Sequence, residues 1–218
     1  MMSNSEFLDY LMQFPVDDVD QLPSIKVLSQ ELGISISTLR EQLQVAKALG
    51  LVEVRPRLGI RPQPYSFTPA VDASLCYAIE QDRNHFEDFV DLRRHLELAY
   101  FPQAVDLLRE EDHQELRRLV ARAWEKLRGK PARIPHQEHR QLHLAFYRRL
   151  ENVFVTGLLE AYWDAYEAVG LNVYTDFEYL EQVWVYHEQL VEIAIAKDKA
   201  RGREILQEHF DLMDRMVR

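Results

Sequence analysis

The chain has 218 residues, 47% of them hydrophobic and 28% charged, and a formal net charge of −10 at pH 7. That is enough apolar material for one sizeable core, or for one moderate and one small core. No apolar run approaches the roughly 18 to 20 residues of a membrane span. The first 14 residues carry Glu6 and Asp9 and lack the basic start and small-residue cleavage site of a secretory signal. A lone Cys76 permits neither an internal disulfide nor a cysteine-based zinc cluster. A soluble, cytoplasmic protein without a membrane partner is expected, in which any metal site falls to histidines and carboxylates.

Taken in chain order, the pattern predicts a short helix over 5–12 and a second over 25–32, capped by Ser24 and ended by Gly33. A third helix follows, with Ser35 or Ser37 as its cap, Leu39, Leu43, Ala46 and Leu49 as its apolar stripe, and Gly50 as its stop. Val52 and Val54 alternate as a strand, residues 56–59 turn, and Ile60 opens a return strand. This order reads as a winged helix-turn-helix. Pro62, Pro64 and Pro69 then form a stiff seam, which divides the chain into domains 1–69 and 70–218. Helices are predicted at 72–82, 85–108, 111–129, 138–150, 152–169, 179–196 and 198–216. The fold class is therefore mainly α: a winged helix-turn-helix followed by an all-helical bundle, with stripes such as Leu142, Leu144, Phe146, Leu150 and Val183, Leu190, Ile193 facing its core.

A charge of −10 argues against a nucleic-acid partner until its distribution is examined. Between Leu22 and Ser66 there are six basic and three acidic residues, a local +3, against −13 for the remainder. The third helix of a helix-turn-helix offers its first turn to the major groove, where Ser37, Thr38 and Arg40 can reach base edges or phosphates. Arg55, Arg57 and Arg61 on the ribbon suit a phosphate backbone or a minor groove.

The histidines form the sharpest chemical pattern. His139 and His143 are spaced i, i+4, so both leave one helical face at a separation suited to one ion. His187 and His209 lie on two later helices, and a bundle can bring all four imidazoles to one interior point. His136 shares the His139 face and competes with it, whereas His85, His95 and His113 have no such partners and read as non-functional. No Gly-rich phosphate-binding loop or serine nucleophile elbow is present, and Cys76 has no activating base beside it in sequence.

These residues resemble a known family. LPSIKVLSQELGISISTLREQL followed by ALGLVEVRPRLGI is similar to the GntR winged-helix domain. The helical remainder resembles the FCD effector domain of the FadR-like branch, through Arg93, Leu96 and Glu97, His143 followed by Asn152, and His187 and His209. The resemblance covers about Leu22 to Met213. It implies a homodimeric transcription regulator that binds a double-stranded DNA operator and senses a small-molecule effector near a divalent metal. Residue by residue, it implies DNA contacts for Lys26, Ser37, Thr38 and Arg40, a wing-tip role for Gly59, effector contacts for Arg93 and Asn152, and metal ligation for His143, His187 and His209. Arg93 would face the carboxylate of an acid effector.

Two departures from the family pattern stand out. Ile36 occupies a position where a DNA-contacting Arg is common, so the operator cannot be carried over. His139 stands where a metal-binding Asp is expected; an imidazole there removes one negative charge and shifts preference toward zinc, nickel or copper. Glu138 is about 100° of helix off the His143 face and a poorer substitute. A ligand-responsive regulator, not an enzyme, is the expectation. The alternatives are a helical-bundle metalloenzyme with an accessory N-terminal module, and a regulator whose signal is the metal itself.

Overall fold

A computed structural model describes residues 5–13, 21–169 and 176–217, with side chains described as far as residue 212. The chain divides into two compact units, Met1–Ser74 and Leu75–Arg218. The protein is mainly helical, with one two-stranded sheet among the described residues.

In the first unit, side-chain caps set the helix starts. Helix α1 (Glu6–Leu11) begins at Ser5, and α2 (Ile25–Leu32) begins at Ser24, whose hydroxyl accepts from the Val27 N–H. Gly33 ends α2 at φ +67°, a left-handed conformation that glycine adopts without steric penalty. Helix α3 (Ile36–Ala48) is capped by Ser35, which accepts from the Thr38 N–H at 3.1 Å. Of the two caps the sequence allowed, Ser37 therefore lies inside the helix. Strands β1 (Val52–Arg55) and β2 (Gly59–Pro62) pair antiparallel, Val52 opposite Pro62 and Arg55 opposite Gly59. Leu28, Leu39, Leu43, Ala46, Val52 and Ile60 share one small core with Phe7 of α1. Gln42 ties α1 to α3, accepting from the Phe7 N–H at 2.9 Å and donating to Glu6.

Helix α4 (Thr68–Gln81) starts four residues before the predicted 72–82 span. Pro69 sits in its first turn, where a missing N–H leaves no helical bond unmade, so this proline belongs to the helix. The second unit continues with α5 (Asn84–Leu107), α6 (Glu110–Leu127), α7 (His136–Tyr147), α8 (Val153–Ala168), α9 (Phe177–Ile195) and α10 (Lys199–Val217). Helix α6 packs on α7 and α9, α9 on α10, and α5 on α7, α8 and α10. Leu142, Phe146, Leu150 and Leu190 lie in the main core with Phe101, Leu116, Leu119, Trp184 and Phe210, while Leu144 and Ile193 pack against it half-buried. Asp112, in the first turn of α6, accepts from the Arg109 N–H and from the guanidinium groups of Arg148 and Arg149, which joins that turn to the end of α7.

One close approach between α10 and α5 makes a measurable demand. A Cβ on Gly202 would stand 2.5 Å from Cε1 of the fully buried Phe101 and 2.8 Å from its Cζ. Alanine normally gains about 0.5–1 kcal/mol over glycine within a helix, but overpacking a core costs about 1–3 kcal/mol. Gly202→Ala is therefore expected to lower the melting temperature; an unchanged or raised value would show that Phe101 yields freely.

Candidate metal centre

His139 and His143 project from one face of α7, as their spacing requires, and α9 and α10 bring His187 and His209 to the same point. One ligand nitrogen from each ring lies within 4.8 Å of all the others. The closest pair of rings, His187 and His209, has centroids 4.5 Å apart, and the Nε2 atoms of His143 and His187 are 3.1 Å apart. Nitrogens held at about 2.0–2.1 Å from a tetrahedral ion are roughly 3.4 Å from one another, so the His143–His187 pair matches such a polyhedron, whereas the widest pair, at up to 4.8 Å, would have to draw together to close on one ion. His143, His187 and His209 are almost wholly buried; His139 is partly exposed, though its Nε2 is buried.

The cluster's hydrogen bonding supplies the test of fit. Nε2 of His139, Nδ1 of His187 and both ring nitrogens of His209 are buried without a hydrogen-bond partner. A buried polar atom left unpaired costs about 1–3 kcal/mol, and imidazole lone pairs meeting at one point are the donor set of a transition-metal site. Burial pushes all four pKa values below the ordinary histidine range, His139, His187 and His209 far below it. Among the smaller causes, repulsion from neighbouring imidazoles and from Arg93 acts in the same direction on His139 and His187. The rings are thus held neutral, the state in which imidazole can ligate.

Aromatic walls enclose them. Trp163 of α8 meets the His139 ring edge-on at 4.8 Å, and Trp184 of α9 lies 4.8 Å from His187. Behind His143 stand two charged residues of α5, Arg93 and Glu97, both buried and bonded to each other at 2.5 Å. The Arg93 guanidinium lies over the Tyr162 ring at 4.2 Å. The sequence marks Arg93 as an effector contact and Glu97 only as part of a motif, and it carries no signal for Tyr162, Trp163 or Trp184 at this site. The signals available for Glu97 were its i, i+4 spacing from Arg93 and its place between Leu96 and Leu98 on a half-apolar helix.

The competing ligands lie elsewhere. Glu138 is ion-paired with Lys126 at 2.7 Å, and His136 stacks on Tyr166 and faces Glu167 at 3.1 Å. Of the three histidines read as non-functional, His113 is buried with an unpartnered Nε2, while His85 and His95 lie on the surface beside Asp88 and Asp91. Asn152 caps α8, accepting from the Phe154 and Val155 N–H groups. Trp163 is eleven residues further along that helix, about 16 Å by helical rise, so Asn152 is not brought to the histidines. In the first unit Lys26, Ser37, Thr38, Arg40, Arg55, Arg57 and Arg61 are all exposed. Arg55 is paired with Glu53 at 2.6 Å, and the Thr38 hydroxyl bonds that of Ser35 at 2.9 Å. Arg57 adopts φ +67° in the turn, and Gly59 follows at φ +75° with Gln21 where a Cβ would be.

The neutral cluster has a consequence for stability. Each histidine binds a proton near pH 6.5 when unfolded but resists it when folded, so below that pH the unfolded state binds more protons and is favoured. The metal-free protein should keep its stability above about pH 6.5 and lose it as pH falls through that value, by up to about 1.4 kcal/mol per pH unit for each histidine. Thermal melts of chelator-treated protein between pH 7.5 and 5 measure this; a melting temperature constant over that range would contradict it.

The family profile described as the FCD domain matches residues 88–212. No curated protein matches the chain. Among solved structures, Escherichia coli McbR/YncC is similar at 20% identity and a TM-score of 0.54, with 100% of this chain and 98% of that one covered. Streptococcus agalactiae GntR is similar at 17% identity and a TM-score of 0.64, covering 96% and 95%. At such identities the structural likeness speaks for the fold. The profile spans more than half of the chain and includes all four clustered histidines, with Arg93 and Glu97; the chain belongs to the FCD family, as its resemblance to FCD-bearing GntR-superfamily regulators implied.

Proposed function

We propose that the protein is a dimeric, ligand-responsive transcription regulator whose first unit is a winged helix-turn-helix and whose second holds a divalent metal beside an effector site. The observation that carries this reading is the conjunction, in one chain, of a unit of three helices and a two-stranded ribbon bearing exposed cations with an FCD domain enclosing four neutral imidazoles. Helix α3 offers its first turn and Arg40 to a major groove, and the turn between β1 and β2 offers Arg57 to phosphates. Lys26 and the free N–H groups at the start of α3 add phosphate contacts. A single unit with a local charge of +3 is a weak anchor at physiological salt, which favours two copies acting together on a two-fold operator.

His139, His143, His187 and His209 would hold the metal, which supplies a positive centre able to bind an oxygen ligand. An all-imidazole set favours zinc or nickel over harder ions. Glu97 and Arg93 cancel each other's charge, and the imidazoles are neutral, so no protein carboxylate offsets the +2 of the ion. The site therefore suits an anionic effector, and a small carboxylic acid is the class that fits.

DNA binding is tested on the full-length protein with duplexes selected from a random pool. Arg40→Ala should weaken binding to the selected sequence about 10- to 100-fold and relax its specificity. Arg57→Ala should weaken selected and random duplexes alike and reduce the salt slope by about one. Failure to enrich any sequence, or wild-type binding by Arg40→Ala, would contradict the assignment.

A further inference from the structure

The Glu97 side chain is fully buried, with Oε2 2.8 Å from Nδ1 of His143 and Oε1 2.5 Å from Nε of Arg93. Its backbone carbonyl accepts from the Tyr147 hydroxyl at 3.1 Å, which fixes α5 against α7 at this level. We propose that Glu97 is a positioning residue for the metal centre: it takes the Nδ1 proton of His143 in a hydrogen bond, so that Nε2 presents a lone pair to the cluster. The inference rests on the metal reading above.

Proton counting separates two arrangements. Two groups reach Nδ1 of His143: Arg93 Nη2 at 3.0 Å, which can only donate, and the Glu97 carboxylate, which can only accept. A neutral imidazole has one N–H. If Nδ1 accepts from Arg93, the proton sits on Nε2 and points at His187 Nε2, 3.1 Å away, and one of the four nitrogens is lost to ligation. If Nδ1 donates to Glu97, the bond is charge-assisted and Nε2 is free.

The surroundings favour the second arrangement. Arg93 keeps its bond to Glu97 and its place over the Tyr162 ring in either case. Oε2 of Glu97 instead faces a bare nitrogen lone pair at 2.8 Å unless that nitrogen carries the proton. The Arg93 guanidinium, bonded to Oε1, supplies the counter-charge of this buried carboxylate, whose Oε2 is left to accept from His143. Arg93 therefore acts through Glu97, and Glu97 acts through His143.

Zinc is the probe, and the full-length protein is the sample. Nitrogen-15 NMR of the zinc-loaded wild type should show His143 protonated at Nδ1 and zinc-bound at Nε2. Glu97→Gln can turn its amide N–H toward Nδ1 and hold the proton on Nε2, so zinc affinity measured against a competing chelator should fall about 10- to 100-fold. Glu97→Asp keeps the acceptor and should recover part of that loss. Affinity within twofold of wild type in a folded Glu97→Gln variant, or Nε2–H on His143 in the zinc-loaded wild type, overturns the assignment. If Glu97→Gln does not fold, because Arg93 is left buried without its counter-charge, the wild-type spectrum decides. A wild-type chain that takes up no zinc overturns the metal reading and this one together.

Discussion

Four imidazoles in the interior of a helical bundle, with four of their nitrogens unpartnered, are an arrangement that packing alone does not favour. Aliphatic side chains of similar volume would fill the same space without the penalty for unpaired polar atoms. Around this point the bundle is nonetheless well packed: Trp163 and Trp184 are fully buried against the rings, and α5 places a buried ion pair behind one of them. A metal ion would take one nitrogen from each ring and turn an unfavourable cluster into a cross-link between α7, α9 and α10. Metal binding and the stability of the second unit would thereby be coupled, and an oxygen ligand of that ion would feel both its charge and the packing of three helices.

Much of this was legible in the residues because the signals were local. Ser24 and Gly33 bound α2, the period of Leu39, Leu43 and Ala46 orients α3, and the i, i+4 spacing of His139 and His143 fixes their common face. The cap of α3 was ambiguous between Ser35 and Ser37, since either hydroxyl suits the role; the chain enters the helix at Ile36, which leaves Ser35 in extended backbone. Pro69 reads as a stop when counted with Pro62 and Pro64, but proline is equally at home in a first turn, and there α4 begins. The contact between Glu97 and His143 spans 46 residues, and no local period carries it. Asn152 has a local role that its neighbours in sequence already suggest: its amide oxygen caps α8.

The first unit shows the same distinction between counting charges and placing them. A local +3 includes Arg55, whose guanidinium is held by Glu53 across two residues of one strand. The hydroxyls of Ser35 and Thr38 bond each other, and the start of α3 is thereby organised before any partner approaches. Lys26, Arg40, Arg57 and Arg61 remain exposed, on two helices and the ribbon, as a spread set of cations. Such a set suits a surface of regularly spaced phosphates better than a single small anion.

Whether His139 joins His143, His187 and His209 around one ion decides the chemistry of the site. X-ray absorption of the metal-loaded, full-length protein counts imidazole ligands directly through their outer-shell scattering. The account predicts one equivalent of zinc or nickel with four imidazoles per ion, falling to three in His139→Ala. A wild-type site with three imidazoles or fewer, or a count that His139→Ala leaves unchanged, would contradict it.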